Sequence, residues 1–370
     1  ALVATASVAA ADVTFSGYGR FGIAYAGSTA GSVGNMTTTA QTTTAATIDA
    51  SGNITAGTKT AAVVGTVAAT PAQKLAAVNA VAAAESALAG AATALARANA
   101  AQVLADAQAN LAAISDTAAG ASSTDVTSRL RIVIDANAES DGGVTFGGMV
   151  RIQQDEGSTG ATNGARFYAR SGGLEVGAGN IWGAIESMPG QYPIDLGLTG
   201  LGYEYTAYAF NADAYSSGGL GSSGSNGIEV MYSMGDFKAH VSASDKNDRI
   251  AAYGAYTFSG WTVALGVQDS TDAKDTEMTA TIGGTVGPVS LGLGYADNGT
   301  SGKRTVLTAG MDVGAATNVE AYYADDSLKA DASYGIDFNH DLGGGTSLRG
   351  GVASKFNGQT VADFGVRFNF

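Results

Sequence analysis

The sequence predicts an all-β fold, a sixteen-stranded antiparallel transmembrane β-barrel with an inserted Ala-rich α-helical extracellular segment, on three observations. Polar and apolar residues alternate with period two through one segment after another, the mark of strands lying between unlike environments. Mean hydropathy is slightly positive at +0.09, yet there is no charge-free apolar run of about eighteen residues, so a membrane span must be made of strands. The final segment, TVADFGVRFNF, sets Phe364, Val366, Phe368 and Phe370 on one face against Asp363, Arg367 and Asn369 on the other.

Taken in order, residues 1–11, ALVATASVAAA, are small and apolar ahead of Asp12 and read as the remnant of a signal peptide. Residues 12–27 hold the first barrel strand, with Val13, Phe15, Phe21, Ile23 and Tyr25 on one face and Thr14, Ser16, Tyr18 and Arg20 on the other. From 28 to 125 the composition changes to Thr and Ala, which marks an insertion into an extracellular loop. Its second half is a strong helix former, expected over about 72–115, with Pro71 at its start and Gly90 as an internal breaker. Val81, Leu88 and Leu95, then Leu104 and Leu111, recur at heptad spacing. A continuous helix and a hairpin folded back near Gly90 both satisfy this pattern.

Residues 126–370 are expected to supply the remaining strands, near 126–138, 144–155, 165–171, 174–182, 228–234, 237–245, 249–258, 261–269, 276–286, 289–297, 304–313, 318–326, 330–340, 346–356 and 360–370. Tight turns such as Ser259-Gly260 and Gly287-Pro288 interleave with longer polar connections, the asymmetry of an outer-membrane barrel. In hydrocarbon an open sheet edge strands unpaired backbone groups, so the strands must close on themselves. Sixteen of them enclose a bore too wide for side chains to fill.

Composition excludes several functions. Cys is absent and His numbers 2, which removes thiolate metal sites and most His-based chemistry. A net charge of −14 argues against nucleic acid as a partner. Neither His240, expected to point outward, nor His340 is joined by a nucleophile motif or a metal-spaced partner, so no enzyme is predicted. No cofactor is expected. Loop carboxylates such as Asp325-Asp326 are of the type that hold calcium, but solvated loop charge is the simpler account of them.

The segments SGYGRFGIAY, SRLRI, ARFYARSG, WGAIESMPGQYPIDLG and VRFNF, in that order, resemble those of trimeric general-diffusion porins of Gram-negative outer membranes, alphaproteobacterial type. The resemblance covers about three quarters of the chain and leaves out the insertion. It implies a passive channel for ions and small hydrophilic solutes, a homotrimer, and an outer-membrane location with lipid and lipopolysaccharide around it. It further implies a loop, here about 183–227, that folds into the barrel and sets Glu186, Asp195, Glu204 and Asp213 against a basic wall. Strand alternation aims Arg20, Arg129, Arg131, Arg151, Arg166 and Arg170 into the bore as that wall. Glu229 stands where some members carry a further basic residue, which predicts a shorter ladder; excess acid predicts a mild cation preference. The competing reading is an outer-membrane anchor that displays the inserted helix as a surface or adhesion protein.

Overall fold

The computed structural model describes residues 11–29, 35–115, 120–215, 224–271, 273 and 275–370. It separates into a barrel unit and an inserted unit, residues 29–121. The signal-peptide reading covers residues 1–11, of which 1–10 lie outside the described residues.

The barrel strands are β1 (Asp12–Ala26), β2 (Ser123–Glu139), β3 (Thr145–Asp155), β4 (Arg166–Ser171), β5 (Leu174–Asn180), β6 (Asn226–Met234), β7 (Phe237–Ser244) and β8 (Ile250–Phe258). They continue as β9 (Trp261–Asp269), β10 (Glu277–Val286), β11 (Val289–Asp297), β12 (Lys303–Asp312), β13 (Thr317–Asp326), β14 (Ser333–Gly343), β15 (Thr346–Ser354) and β16 (Thr360–Asn369). Neighbours pair antiparallel, and a two-residue strand, Ala161–Thr162, extends the edge of β3. β1 pairs with β2 on one side, Arg20 opposite Arg129, and with β16 on the other, Arg20 opposite Arg367, which closes the sheet. Gly17 and Phe370 exchange backbone hydrogen bonds of 2.9 and 3.1 Å, fastening the last residue to β1.

Alternation decides which face meets what. Val13, Phe15, Phe21 and Ile23 of β1 stand exposed on the outside together with Leu265, Leu293, Leu307, Ile336 and Phe364. Such a continuous apolar exterior is tolerable only in hydrocarbon. The short turns have the chemistry a twisted hairpin requires: Ser259 and Gly260 both take positive φ, 47° and 81°, as a two-residue primed turn demands.

Several strand boundaries differ from expectation by one to three residues, and three strands show why. β5 stops at Asn180 rather than 182 because the amides of Trp182 and Gly183 turn to the Glu229 carboxylate, 3.2 Å each. β14 spans Ser333–Gly343 rather than 330–340, since the Leu328 amide caps onto Asp326 and an irregularity near Asp341 carries the ladder onward. β2 begins at Ser123, inside the span read as insertion.

In the inserted unit, Thr29 and Gly120 bridge its two ends. Residues 35–39 pair with 63–68, 42–43 with 59–60 and 47–48 with 54–55, a ladder that ends at the Asp49–Asn53 turn. Two helices follow, α1 (Pro71–Gly90) and α2 (Ala94–Ile114), packed against each other. Of the two arrangements left open for 72–115, a continuous helix or a hairpin near Gly90, the chain forms the hairpin. Ala91 closes α1 onto the Leu88 carbonyl, and Thr93 opens α2 by accepting from the Ala96 amide. Thr70 and Gln73 form a capping box ahead of Pro71.

Polar side chains of α2 tie down the ladder. Asp106 accepts from Gln41 Nε2 and Thr43 Oγ1 at 3.0 and 2.8 Å, and Asn99 accepts from the Ala46 amide at 2.7 Å. Although partial burial works to raise it, the bonds from Gln41 and Thr43 hold the Asp106 carboxyl below the usual range. Its depressed value means that its contribution is complete above the ordinary carboxylate range and is lost as pH falls through and below it. Limited proteolysis of the whole protein is therefore expected to cut the insertion faster at pH 3 than at pH 7. In D106A the rate is expected to be raised already at pH 7, and equal rates for D106A and the parent at pH 7 would contradict this account.

Candidate functional site

The segment between β5 and β6 does not project outward. Its described part, residues 181–215, lies on the inner wall as a hairpin, and each limb is fastened strand by strand; residues 216–223 of the expected loop lie outside the described residues. On the outgoing limb the Ala184 amide donates to Ser242 on β7 at 3.0 Å, and Gln191 donates to Thr279 on β10 at 3.0 Å. The Asp195 amide donates to Glu320 on β13 at 3.0 Å. At the far end the Gly197 amide donates to Asp337 on β14 at 2.7 Å. Leu198 and Thr199 donate their amides to Asp363 on β16 at 2.9 and 2.7 Å, and the Thr199 hydroxyl adds a third bond at 2.6 Å. The returning limb is held by Glu204, which accepts the Phe356 amide at 2.9 Å, by Asn298 on the Ala209 amide at 2.7 Å, and by Gln268 on the Asn211 carbonyl at 2.7 Å.

Inward positions on the strands beneath are glycine where the hairpin presses closest. A Cβ on Gly22 or Gly365, which face each other across β1 and β16, would come within 2.8 and 2.7 Å of Leu198. One on Gly266 would meet Met188 Sδ at 2.7 Å. Apolar side chains fill the resulting seam: Ile194, Leu196, Leu201, Tyr205 and Tyr322 are buried together, as are Ile185 and Phe210 farther along.

Among the described residues, β2 carries no hydrogen bond to the loop, and β3 meets only its returning end, where the Tyr215 hydroxyl donates to the Met149 carbonyl at 3.1 Å. Arg367, Arg20 and Arg129 lie side by side across β16, β1 and β2, with Asp155 next on β3. Like charges in register repel, and each arginine is compensated separately. Arg129 pairs with Asp155; Arg20 donates to the Leu198 carbonyl at 2.8 Å; Arg367 reaches Asp195 at 2.9 Å and lies over the Tyr18 ring at 4.4 Å. Arg131 donates to Gln153 at 2.7 Å and also covers Tyr18, 5.2 Å from its centroid. Arg151 donates to the Tyr215 carbonyl at 2.7 Å.

Two of the six expected wall arginines stand elsewhere. Arg166 is 1% exposed, paired at 2.6 Å with both Glu175 and Glu229, and wedged between Tyr168 and Trp182. Arg170 sits two residues before the Gly172-Gly173 turn, paired with Glu175 at 3.4 Å. Of the expected acids, Glu186 accepts both the Tyr192 and the Tyr208 hydroxyl. Burial, then the neighbouring Glu186 carboxylate, pushes both phenols well above their ordinary range. Asp195 meets Arg349 and Arg367. Glu204 holds the loop, and Asp213 is buried with Arg249 at 2.7 Å.

Glu229 does not merely shorten the basic ladder. It accepts from Arg166, from the Trp182 and Gly183 amides and from His240, 3.0 Å away, so it is the post to which the loop base is tied. His240 accordingly points inward, fully buried, and not outward as alternation suggested; it follows the odd-numbered parity of Glu229 through its pairing with Met231. Sequence reasoning put Asp363 and Arg367 on the polar face of the last strand without giving them a role at the loop, and passed over Arg349 and Asp337, although the same alternation places these inward too. Asp326 is occupied by Arg304 at 3.0 Å, and no cluster of His, Cys, Asp or Glu among the described residues is suited to a metal ion.

Residues 75–360 match the family model described as Gram-negative porin. The chain is 33% identical over 290 residues to a porin of Fuscovulum blasticum, covering 70% of this chain and 96% of the relative. It is 26% identical over 316 residues to a porin of Rhodobacter capsulatus, covering 66% and 93%. Solved structures of variants of the Rh. blastica porin superpose with TM-scores of 0.64 and 0.65 at 23% identity, covering 97% of this chain and all of theirs.

Proposed function

The chain belongs to the Gram-negative porin family and forms a passive, water-filled outer-membrane channel for small solutes, and on that premise we propose that the channel narrows to a charged waist between the loop and the arginine wall. The observation that carries this is the hairpin itself, fastened along the inner wall from β6 to β16 while Arg129, Arg131 and Arg151 stand on strands to the other side of its base. Of the residues expected at the waist, Arg20, Arg129, Arg131 and Arg151 form its basic side and Glu186 and Asp195 its acidic side. Arg166, Arg170, Glu204 and Asp213 support the loop and the strand ends. Charge of opposite sign across a narrow aqueous gap produces a transverse field that orients dipolar solutes and disfavours large apolar ones.

In planar bilayers, Arg131→Gln with Arg151→Gln is expected to raise the cation-to-anion permeability ratio by roughly twofold or more at 0.1 M salt. The change should shrink at 1 M, where the Debye length is about 3 Å. An unaltered ratio at low salt would remove the charged waist from the account and leave the channel standing.

The same reading has three copies of the chain associating as a homotrimer in contact with outer-membrane lipid and lipopolysaccharide, supported by the continuous apolar exterior. The insertion, joining β1 to β2, is then the first extracellular loop. Crosslinking in intact outer membranes that yields monomers only would refute the trimer.

A further inference from the structure

We infer that Tyr192, Tyr203 and the Glu186 carboxylate form a weak binding site for organic cations, solutes that carry an ammonium group with apolar substituents, on the face of the loop turned to the bore. This rests on the reading of the loop as one side of the waist.

The first support is an excess of exposed aromatic surface that the packing does not use. Tyr205, Phe210 and Tyr322 are buried and account for the seam against the wall. Tyr192 and Tyr203, at 43% and 47% exposed, are not consumed by it. Their rings meet edge to face, 6.3 Å apart at 89°, and leave an open aromatic corner. Tyr208 closes one side of that corner, 6.4 Å from Tyr192, and Tyr205 backs Tyr203 at 5.7 Å.

The second is that Tyr203 is held there at a cost. Leu201 and Tyr203 both adopt positive φ, 43° and 59°, a conformation that bulky residues avoid. The Tyr203 ring lies over Gly200, where a Cβ would come within 2.5 Å of it. Strain of this kind persists only where surrounding structure over-determines it, and it gathers at ligand-binding positions.

The third is charge. Glu186 is hydrogen-bonded by two phenols, and no ion pair neutralises it among the described residues, whereas Asp195 is matched by Arg349 and Arg367. Electron-rich tyrosine faces beside an uncompensated carboxylate attract a cation, and desolvation favours one with apolar substituents over potassium. The opposite arginines repel both alike, so ring contact is what separates an organic cation from an inorganic one.

Benzyltrimethylammonium added to the purified channel in planar bilayers tests this. The expected result is concentration-dependent current noise or brief block at millimolar levels, with little effect from the neutral benzyl alcohol. Tyr192→Leu and Tyr203→Leu should each weaken the block about two- to fivefold, Tyr203→Phe should retain it, and Glu186→Gln, which keeps the acceptor for both phenols, should weaken it similarly. Absence of block in the unaltered channel would overturn the inference. So would equal block by benzyl alcohol, or undiminished block in Glu186→Gln. Any of these in a channel whose selectivity still responds to Arg131 and Arg151 would leave the charged waist intact and sink the cation site alone.

Discussion

Glu229→Ala is expected to destabilise the barrel by about 3–5 kcal/mol, the usual cost of removing one partner from a buried ion pair. Glu229 is 1% exposed and receives Arg166 at 2.6 Å, His240 at 3.0 Å and two loop amides at 3.2 Å. Its loss leaves Arg166, equally buried, with Glu175 alone and strands both amides. The temperature at which the detergent-solubilised protein loses its folded electrophoretic mobility should fall markedly. Single-channel current should become noisy, because the loop is released where it leaves β5. Glu229→Gln keeps an acceptor for the amides but loses the charge, and should fall between. Equal melting of Glu229→Ala and the parent protein would show that Glu229 does not anchor the loop.

Removing the anchors at the other end should change the bore more than the stability. In the double variant Asp337→Ala with Asp363→Ala, the Gly197, Leu198 and Thr199 amides lose all the carboxylate acceptors that hold them. Each such charge-assisted bond is worth about 1.5–3 kcal/mol, while the sheet registers of β14 and β16 do not depend on these side chains. With the tip detached, the hairpin can lift from the glycine-lined wall while its base stays tied at Glu229. Single-channel conductance is expected to rise, and larger neutral sugars should enter in liposome-swelling assays. Unchanged conductance and an unchanged size limit would show that the seam of Leu198, Leu201 and Tyr205 holds the loop without the two aspartates.

What could be read from the sequence follows from which interactions are local. A period of two is a property of consecutive residues, so Phe364, Val366 and Phe368 announced their face without any knowledge of β1, and so did Arg20 and Arg129. The helical hairpin was half visible: Gly90 suggested a break, and Thr93 as a second N-cap could have settled it. The loop anchors were hidden because they are long-range. Nothing near Glu229 in the chain reveals that Arg166 and the Trp182 amide come to it from other elements. Alternation did place Asp337, Asp363, Arg349 and Arg367 inward, but only the path of the hairpin distinguishes a side chain that grips the loop from one that faces water. The inward glycines were the neglected signal. Gly22, Gly266 and Gly365 occupy positions where an aqueous bore calls for polar side chains, and a glycine there marks where backbone is about to be covered.

That glycine-floored track lets the loop lie flat against the wall, with its anchors behind it. The Asp337 and Asp363 carboxylates hold the loop from the wall side, so the exposed Tyr192 and Tyr203 rings can be exchanged without touching those anchors. Lineages descended from such an ancestor could retune what they admit through a few replacements on one short stretch of chain, while the surrounding cylinder stays as it was.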